Sequence, residues 1–398
     1  MLHISDPKKQ LKAMSNTFVA DILPAVLERL GDERDRQMYA LILSMVSGNK
    51  NNAVSAAQKA ELGVFAAGKG FLDILSWLLD EGVIGPECLE AAAANDQQDA
   101  MELLRWRGVA WPGNGLVGAS GNGRLDLMRW AQQGGCRFGP ECIEAAAASN
   151  HKDVVEWLRS RIERTSWPSA GLVGACGNGH LDLVRWAHAN GCVFRSECIE
   201  AAAETNRKEV VEYLAVTLRV PWPRNGLVGA AYRGHCDLMR WCLDRGCGFD
   251  VTTIASAARG GRIDILEIFE AHDDLPEDMS YASLRAAMNG HIGVVEWLDE
   301  KELWYDREQT LQTAAVVGRL NIVKHLVSKG CEPSSKTATD AVTGGNADIL
   351  EWLVESGYPV DVDECVKQCE MLRNWSPHRA HDRKLARVSE FLKRVQHV

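Results

Sequence analysis

The segment GNGHLDLVRWA, residues 177–187, decides the fold because it recurs along the chain. Close copies are GNGRLDLMRWA from Gly121, RGHCDLMRWC from Arg233 and NGHIGVVEWL from Asn289, and looser copies are GKGFLDILSWLL from Gly68, GGRIDILEIF from Gly260 and GGNADILEWLV from Gly344. Repetition at a fixed period predicts a solenoid, in which each repeat buries its apolar face only against its neighbours. Such an array offers a long surface rather than a closed pocket, so binding is the expected function.

An aromatic residue of this motif marks the period. It falls at Trp77, Trp106, Trp130, Trp157, Trp186, Tyr213, Trp241, Phe269, Trp297, His325 and Trp352. Most steps are 27 to 29 residues long, and the step from Trp106 to Trp130 is shorter, at 24. A longer period overlies this one, because WPGNGLVGA at Trp111 returns as WPSAGLVGA at Trp167 and WPRNGLVGA at Trp222. Alternate repeats are therefore of two types, as duplication of a two-repeat block would produce.

The apolar spacing within one repeat is helical. Leu181, Val184 and Ala187 fall on one stripe, with charged residues between them. A glycine that suits a left-handed helix cap follows at Gly191, Gly246, Gly330 and Gly357. A shorter, alanine-rich segment precedes it, opened by a proline that suits a first helical turn at Pro86, Pro112, Pro140, Pro168 and Pro223. We therefore predict an all-α fold of about eleven short helix–turn–helix repeats.

These repeats resemble the ankyrin repeat. GHLDLVRWAHANGC, residues 179–192, matches the second helix of that family, and paired alanines precede the Gly-His position at Ala230-Ala231, Ala286-Ala287 and Ala314-Ala315. The resemblance covers about residues 54–357. The family's Thr-Pro-Leu-His is missing and the repeat is about five residues shorter than the usual 33, so the resemblance implies blunted β-hairpin fingers. Short repeats with tryptophan resemble the ankyrin arrays of large DNA viruses, oomycetes and algae.

Residues 1–53 do not fit the repeat, and we expect them to form an N-terminal helical cap. Leu23-Pro24 opens an apolar helical pattern that resembles the start of an F-box, a module that binds a ubiquitin-ligase scaffold subunit. The bulky aromatic residue usual near the end of an F-box is missing. A substrate adaptor for ubiquitin ligation is therefore the alternative function.

Residues 358–398 are expected to form C-terminal capping helices. Leu385, Val388, Leu392 and Val395 lie on one helical stripe of a basic tail. Cys365, Cys369, His378 and His381 are capable of binding zinc, and a zinc module is the alternative for this segment. The spacing C-x3-C-x8-H-x2-H is tighter than usual zinc-finger patterns, so we expect no metal and no cofactor.

Other recurring residues are explained by packing. We expect the tryptophans and the cysteines to be core residues, and His180, His235 and His291 to hydrogen-bond the backbone at the turn between helices. Arg124 and Arg262 replace this histidine in sister repeats, which argues against catalysis or metal binding. The glycine-rich stretches 115–123 and 171–179 lack the lysine of a P-loop and recur with the repeat. We therefore predict no enzyme.

Composition narrows the classes of partner that we expect the chain to bind. The formal charge of −10 and the pI near 5.6 argue against nucleic acid and anionic membranes, which favour a basic face. No apolar run reaches the roughly 18 residues needed to span a bilayer, and the first residues contain no apolar signal core. We expect a monomer with mostly free thiols in the cytoplasm or the nucleus, which binds a protein and neither nucleic acid nor a membrane.

The candidate binding residues lie at the turn between the two helices of each repeat. Ankyrin resemblance implies that these turns border a concave face, and the two residues before Gly-His differ from one repeat to the next. The candidates are Lys69, Asn122, Asn178, Glu204, Tyr232, Arg233, Arg259, Met288 and Asn289. Tyr232, Arg233 and Arg259 are the strongest, because tyrosine and arginine are favoured binding anchors. The predicted function is a scaffold that binds a protein on this face.

Overall fold

A computed structural model describes residues 56–161, 167–168, 172–223, 227–272, 275–375 and 379–396. The chain forms two compact units, Met1–Pro168 and Ser169–Val398. Residues 1–55, which include the predicted N-terminal cap and the F-box-like segment, lie outside the described residues. Within the described ranges the regular structure is entirely helical, with no β-strand. The predicted all-α fold is therefore confirmed.

Twenty-two of the helices form eleven successive pairs. The pairs are α1 (Ala56–Lys69) and α2 (Leu72–Asp80), α3 (Glu87–Ala94) and α4 (Gln98–Trp106), α5 (Val117–Gly121) and α6 (Leu125–Gln133), α7 (Pro140–Ala148) and α8 (Lys152–Arg161), α9 (Val173–Asn178) and α10 (Leu181–Ala189), α11 (Ser196–Glu204) and α12 (Lys208–Glu212), α13 (Val228–Arg233) and α14 (Cys236–Leu243), α15 (Val251–Arg259) and α16 (Ile263–Ala271), α17 (Ser280–Asn289) and α18 (Ile292–Glu300), α19 (Arg307–Val317) and α20 (Leu320–Ser328), and α21 (Ser335–Gly344) and α22 (Ala347–Glu355). The helix α12 continues as a π-helical turn, Tyr213–Thr217. Two longer helices, α23 (Val362–Trp375) and α24 (Arg379–Gln396), follow the last pair.

The helix pair α9–α10 shows how each repeat folds. Ala175 and Cys176 are buried on the short first helix, and Leu183, Val184 and Ala187 are buried on the second. Small residues on the first helix allow neighbouring first helices to approach closely. The second helix buries one apolar stripe and leaves charged residues exposed beside it, as predicted, but Leu183 completes the stripe and Leu181 is only half-buried.

Both ends of the pair are closed by Schellman turns. At the turn between the helices, Gly179 has φ +83° and the amide of His180 donates to the carbonyl of Ala175 at 2.9 Å. At the end of the second helix, Gly191 has φ +85° and the amide of Cys192 donates to the carbonyl of Ala187 at 2.9 Å. These bonds satisfy carbonyls that the helix leaves unpaired, and glycine adopts positive φ without strain. The predicted glycine caps are confirmed.

The helix pairs stack in sequence order inside each compact unit. In the first unit α1, α3, α5 and α7 pack on one another in turn. In the second unit the same order runs from α9 through α11, α13, α15, α17, α19 and α21 to α23. Each first helix therefore contacts the first helices before and after it within its unit, as a repeat array requires.

The helix register corrects two aromatic assignments. In the other pairs the aromatic residue, or His325 in its place, is the sixth residue from the start of the second helix. In α4 that position is Leu103, and in α16 it is Ile268, so Trp106 and Phe269 lie elsewhere. Leu103 divides the distance from Trp77 to Trp130 into steps of 26 and 27 residues, which removes the apparent short repeat.

The prediction that the tryptophans are core residues was wrong for most of them. Trp157 and Trp297 are buried, whereas Trp77, Trp130, Trp186, Trp241 and Trp352 are half-buried and Trp106 is 81% exposed. Half-buried rings pack edge to face on aromatic residues of the loops, as Trp130 does on Trp111 at a centroid distance of 5.9 Å.

The proline prediction holds only in part. Pro140 is the first residue of α7, and Pro86 directly precedes α3. Pro112, however, lies in a loop, and α5 begins only at Val117. Pro168 and Pro223 also lie outside helices. Residues 111–116 therefore form a loop, because Gly115, with φ +78°, turns the chain before the helix can begin.

The cysteines behave largely as predicted. All 12 are free thiols, and ten are buried, with Cys236 and Cys331 half-buried. Burial raises the pKa of the Cys88 thiol to about 12. Cys365 and Cys369 are buried in α23, and the Cys369 thiol approaches the carbonyl of Leu385 in α24 at 3.6 Å. His378 lies outside the described residues, and only the place of His381 in α24 is described.

Candidate functional site

Three consecutive first helices bring four of the candidate residues together at the turn end of the helix pairs. Glu204 ends α11, Tyr232 and Arg233 end α13, and Arg259 ends α15. We call these four residues the Tyr232 cluster. The Arg233 Nη2 lies 2.9 Å from Glu204 Oε1, and the Arg259 guanidinium lies 5.3 Å from the centroid of the Tyr232 ring. The cluster thus joins an ion pair to a cation–π stack across three helix pairs.

In four of the described helix pairs, the residue that follows the left-handed turn position holds these ends in register. His235 donates from Nε2 to the carbonyl of Glu204 at 2.9 Å, and Arg262 donates from Nε to the carbonyl of Tyr232 at 3.3 Å. Arg319 and Asn346 donate in the same way to carbonyls of the pair before theirs. The predicted hydrogen bond from histidine to the backbone is confirmed for His235, and it reaches the preceding pair rather than its own turn.

These side chains pass directly over the turn of the preceding helix pair. A Cβ added at Gly234, which has φ +80°, would lie 2.8 Å from Cδ of Arg262. The glycine therefore serves two purposes, since it adopts the left-handed backbone and leaves space for the arginine. Asp96, Asn150 and Asn206 take the same left-handed conformation in other pairs.

The remaining candidates are not part of the cluster. Lys69 and Asn122 lie in the first compact unit, where Asn122 Nδ2 donates to the carbonyl of Ala94 at 2.6 Å. Asn178 is exposed at the end of α9, and Asn289 Nδ2 donates to Arg285 in its own helix at 2.9 Å. Met288 is 45% exposed near the end of α17. This helix is the first helix of the pair that follows the pair containing Arg259.

Sequence reasoning missed a second arginine–tyrosine pair. On α17 the Arg285 guanidinium lies 4.9 Å from the ring centroid of Tyr281, and Arg285 Nη2 donates to the Tyr281 hydroxyl at 2.6 Å. The two residues are four apart on one helix, so their spacing already predicts contact. The sequence prediction covers only the two residues before each turn, and these side chains lie further back along the helix.

Sequence reasoning also missed a buried carboxylate at the opposite end of the helix pairs. The side chain of Asp299, at the end of α18, is 2% exposed. It accepts hydrogen bonds from Tyr305 Oη at 3.0 Å, Arg307 Nη2 at 2.7 Å and His325 Nε2 at 2.8 Å. Burial alone would raise the pKa of Asp299, but the hydrogen bonds from His325, Arg307 and Tyr305 hold it below its ordinary value. The sequence signal was His325, which lies at the position where most second helices have an aromatic residue.

This carboxylate borders a shallow groove of about 530 Å³, lined also by Glu302, Leu303, Trp304 and Lys329. Burial also raises the pKa of Tyr305, which donates to Asp299 from the edge of this groove. Asp299 therefore joins α18 to α19 and α20.

Among the described side chains, no three His, Cys, Asp or Glu residues come together in a way that could hold a metal ion. Within the same residues, no helix combines the length and apolar character that crossing a membrane requires.

Comparison with known proteins supports the repeat character of the chain. No family model matches it. It is 27% identical over 252 residues to the ankyrin repeat and KH domain-containing protein mask-1 of Caenorhabditis elegans, a match that covers 53% of this chain and 10% of that protein. The chain therefore spans only a small part of the length of this relative.

Two solved structures of the pentatricopeptide repeat protein PPR10 from maize also match. The first is 15% identical with a TM-score of 0.37 and covers 99% of this chain and 72% of that chain. The second, a complex with an 18-nt psaJ RNA element, is 14% identical with a TM-score of 0.28 and covers 99% and 77%. TM-scores below 0.5 support no argument about the ligand of this chain.

The prediction that excluded a nucleic-acid partner does not hold, because the chain's own charge distribution is uneven. That prediction was wrong in its reasoning, because it used the net charge of −10 as if it applied to every face of the chain. Helices α13, α15 and α17 contain arginine and no acidic residue, so one face can be cationic in an acidic chain. The chain is a helical repeat protein, similar in sequence to an ankyrin-repeat protein and built from the helix pairs that its sequence predicts.

Proposed function

We propose that the chain is a non-enzymatic scaffold that binds a protein partner on the turn ends of its first helices, centred on the Tyr232 cluster. One observation carries the proposal: the Tyr232 ring is 44% exposed and yet held in place. Arg259 stacks over it, and Arg262 binds its backbone carbonyl. An aromatic anchor that is already ordered loses less conformational entropy when a partner binds.

The competing explanation is that the cluster only ties neighbouring helix pairs together. Thr205 and Asn122 do this at the position equivalent to Arg233, where each donates to a backbone carbonyl of the preceding pair. The Tyr232 ring makes no such bond in the described structure, and its carbonyl alone is used for the tie. The exposed area of the ring is therefore available to a partner.

The adaptor function is the second candidate, and only the sequence favours it. Leu23-Pro24 and the apolar pattern after it lie outside the described residues. Removing residues 1–50 should abolish binding of a ubiquitin-ligase scaffold subunit if the adaptor hypothesis is correct. It should leave binding at the Tyr232 cluster unchanged.

Site-specific photocrosslinking tests the proposal directly. A photoreactive phenylalanine derivative replaces Tyr232 or Met288 in the full chain, and the variants are illuminated in cells that make the protein natively. Val193, which is 69% exposed in the loop after α10, is the matched control position. We expect the same protein to be crosslinked from positions 232 and 288 and not from position 193. Equal crosslinking from all three positions, or adducts removed by ribonuclease, would contradict the proposal.

A further inference from the structure

Three neighbouring first helices share an unusual charge composition. The helices α13 (VGAAYR), α15 (VTTIASAAR) and α17 (SYASLRAAMN) contain Arg233, Arg259 and Arg285 and no aspartate or glutamate. They pack side by side in a chain whose formal charge is −10. A local excess of one charge on a protein of opposite net charge concentrates partners of complementary charge at that face. We call the exposed side of these helices the arginine face.

Two of the three arginines are not neutralised by the protein. Arg233 is paired with Glu204, whereas Arg259 and Arg285 form no ion pair with any carboxylate in the described part of the chain. Arg259 stacks on Tyr232, and Arg285 stacks on Tyr281 and donates one hydrogen bond to its hydroxyl. A guanidinium has five N–H donors in a planar fork that fits a carboxylate, so each keeps donors for a ligand.

Apolar surface lies between these cations. Tyr232, Tyr281 and Met288 are each between 42% and 45% exposed. We infer that the arginine face takes an acidic peptide segment that carries a large apolar side chain among its carboxylates. This inference rests on the protein-binding function proposed for the chain, and it adds the chemical class of the partner.

A nucleic acid is the other polyanion that such a face could attract. Single-stranded nucleic acid is usually bound by open aromatic faces on which bases stack. Here the guanidinium groups of Arg259 and Arg285 already lie over the two tyrosine rings. The negative charge of the Glu204 carboxylate beside Arg233 would also repel a phosphate backbone. These contacts favour a peptide, whose apolar side chain can pack against the exposed Met288.

The test uses a phage-displayed library of random peptides of about 12 residues, panned against the full-length chain. The enriched peptides are then synthesised with a fluorophore, and their Kd values are measured by fluorescence anisotropy. The variants are Arg259→Gln with Arg285→Gln, and Tyr232→Ala. The matched control is Arg245→Gln, because Arg245 also stacks on an aromatic ring, 4.3 Å from the centroid of Trp241 on a second helix.

We expect enriched peptides to combine several Asp or Glu residues with one large apolar residue. The double variant should weaken their binding at least about tenfold, and the Arg245→Gln control should not. Binding should also weaken as the salt concentration rises. The enriched peptides could instead lack an acidic excess and still bind more weakly to Tyr232→Ala. That result would overturn this inference and leave the proposed function standing.

Two other outcomes would be more damaging. Enriched peptides that bind both variants as tightly as the wild type would overturn the inference and the proposed site together. Tight binding of a fluorescent random-sequence single-stranded RNA that is lost in the double variant, with no peptide enriched, would assign the arginine face to nucleic acid instead.

Discussion

The Arg259 guanidinium lies over the ring of Tyr232, 5.3 Å from the ring centroid. Tyr232 precedes Arg259 by 27 positions and belongs to the preceding helix pair. Each residue lies two positions before the left-handed glycine of its turn, Gly234 or Gly261, so the repeat itself brings them together. The stack keeps a large ring ordered at the surface. A ring that is ordered before binding loses less conformational entropy when a partner binds.

Close approach of α13 and α15 leads to a prediction about Gly260. A Cβ at this position would overlap the backbone carbonyl oxygen of Tyr232, although φ at Gly260 is −82°. Gly260→Ala should therefore destabilise the chain by about 1–3 kcal/mol through overpacking. The control is Gly177→Ala, where the added Cβ would lie 3.5 Å from the Cβ of Ala201. Replacing that helical glycine should stabilise the chain by about 0.5–1 kcal/mol.

Urea denaturation followed by circular dichroism measures both glycine variants. If Gly260→Ala were as stable as Gly177→Ala, the two helix ends would not be as close as the structure has them.

The buried carboxylate gives a prediction about acid stability. Asp299→Asn removes the charge that Arg307 and His325 contact, and it should cost about 2–3 kcal/mol at neutral pH. Hydrogen bonds hold the pKa of Asp299 below its unfolded value of about 3.9. Its stabilising contribution is therefore complete above about pH 4 and is lost as the pH falls through the lower pKa of the folded protein. The stability difference between wild type and Asp299→Asn should shrink below about pH 4.

Denaturation midpoints at several pH values give this difference. Asp237→Asn is the control, since that carboxylate is 97% exposed and pairs with Arg240 at 3.7 Å. It should change stability by less than about 0.5 kcal/mol. A wild type–Asp299→Asn difference that stays constant down to pH 2 would contradict the assigned hydrogen bonds.

Burial of the tryptophans predicts unequal effects of their removal. Trp297 is 5% exposed, so Trp297→Ala should cost about 3–5 kcal/mol. Trp106 is 81% exposed and lies outside the aromatic position of its helix, so Trp106→Ala should cost less than about 0.5 kcal/mol. Thermal or urea denaturation compares the two. Similar losses at both sites would show that Trp106 is buried after all.

Thiol burial predicts how the cysteines react. Burial and the neighbouring Asp264 raise the pKa of Cys236 to about 11, although its side chain is half-buried. Because the thiolate is the reactive form, alkylation of Cys236 should rise about tenfold per pH unit from pH 8 to pH 10 without levelling off. Cys88 should react only after denaturation. Mass spectrometry of the iodoacetamide-treated protein resolves the sites, and levelling off near pH 9 would contradict the raised pKa.

Much of the fold was predictable because its signals are local. The position of Gly191 predicted a left-handed cap, and the 3.6-residue apolar period predicted the second helices. The loop around Pro112 was not predictable from the proline alone, because a proline suits both a first helical turn and a loop. Trp106 was assigned to the aromatic position of its repeat because it is a tryptophan, but the sixth residue of α4 is Leu103.

The candidate site was predictable in part. Tyr232, Arg233 and Arg259 were chosen as variable turn residues, and regular stacking explains why they meet. The role of Asp299 depended on Tyr305, Arg307 and His325, which come from a loop and two further helices. No local sequence pattern predicts that these side chains meet at one carboxylate. The pairing of Arg285 with Tyr281 and the absence of acidic residues in α13, α15 and α17 were visible in the sequence and were overlooked.

The most direct measurement is the Kd of the protein partner crosslinked at position 232 for the wild type and for Tyr232→Ala with Arg233→Ala. The control is Val193→Ala with Val216→Ala, two exposed positions outside the cluster. The cluster variant should fold normally and bind at least about thirtyfold more weakly, as loss of a binding hot spot implies. An unchanged Kd in a normally folded cluster variant would contradict the central claim that this chain recognises its partner at the Tyr232 cluster.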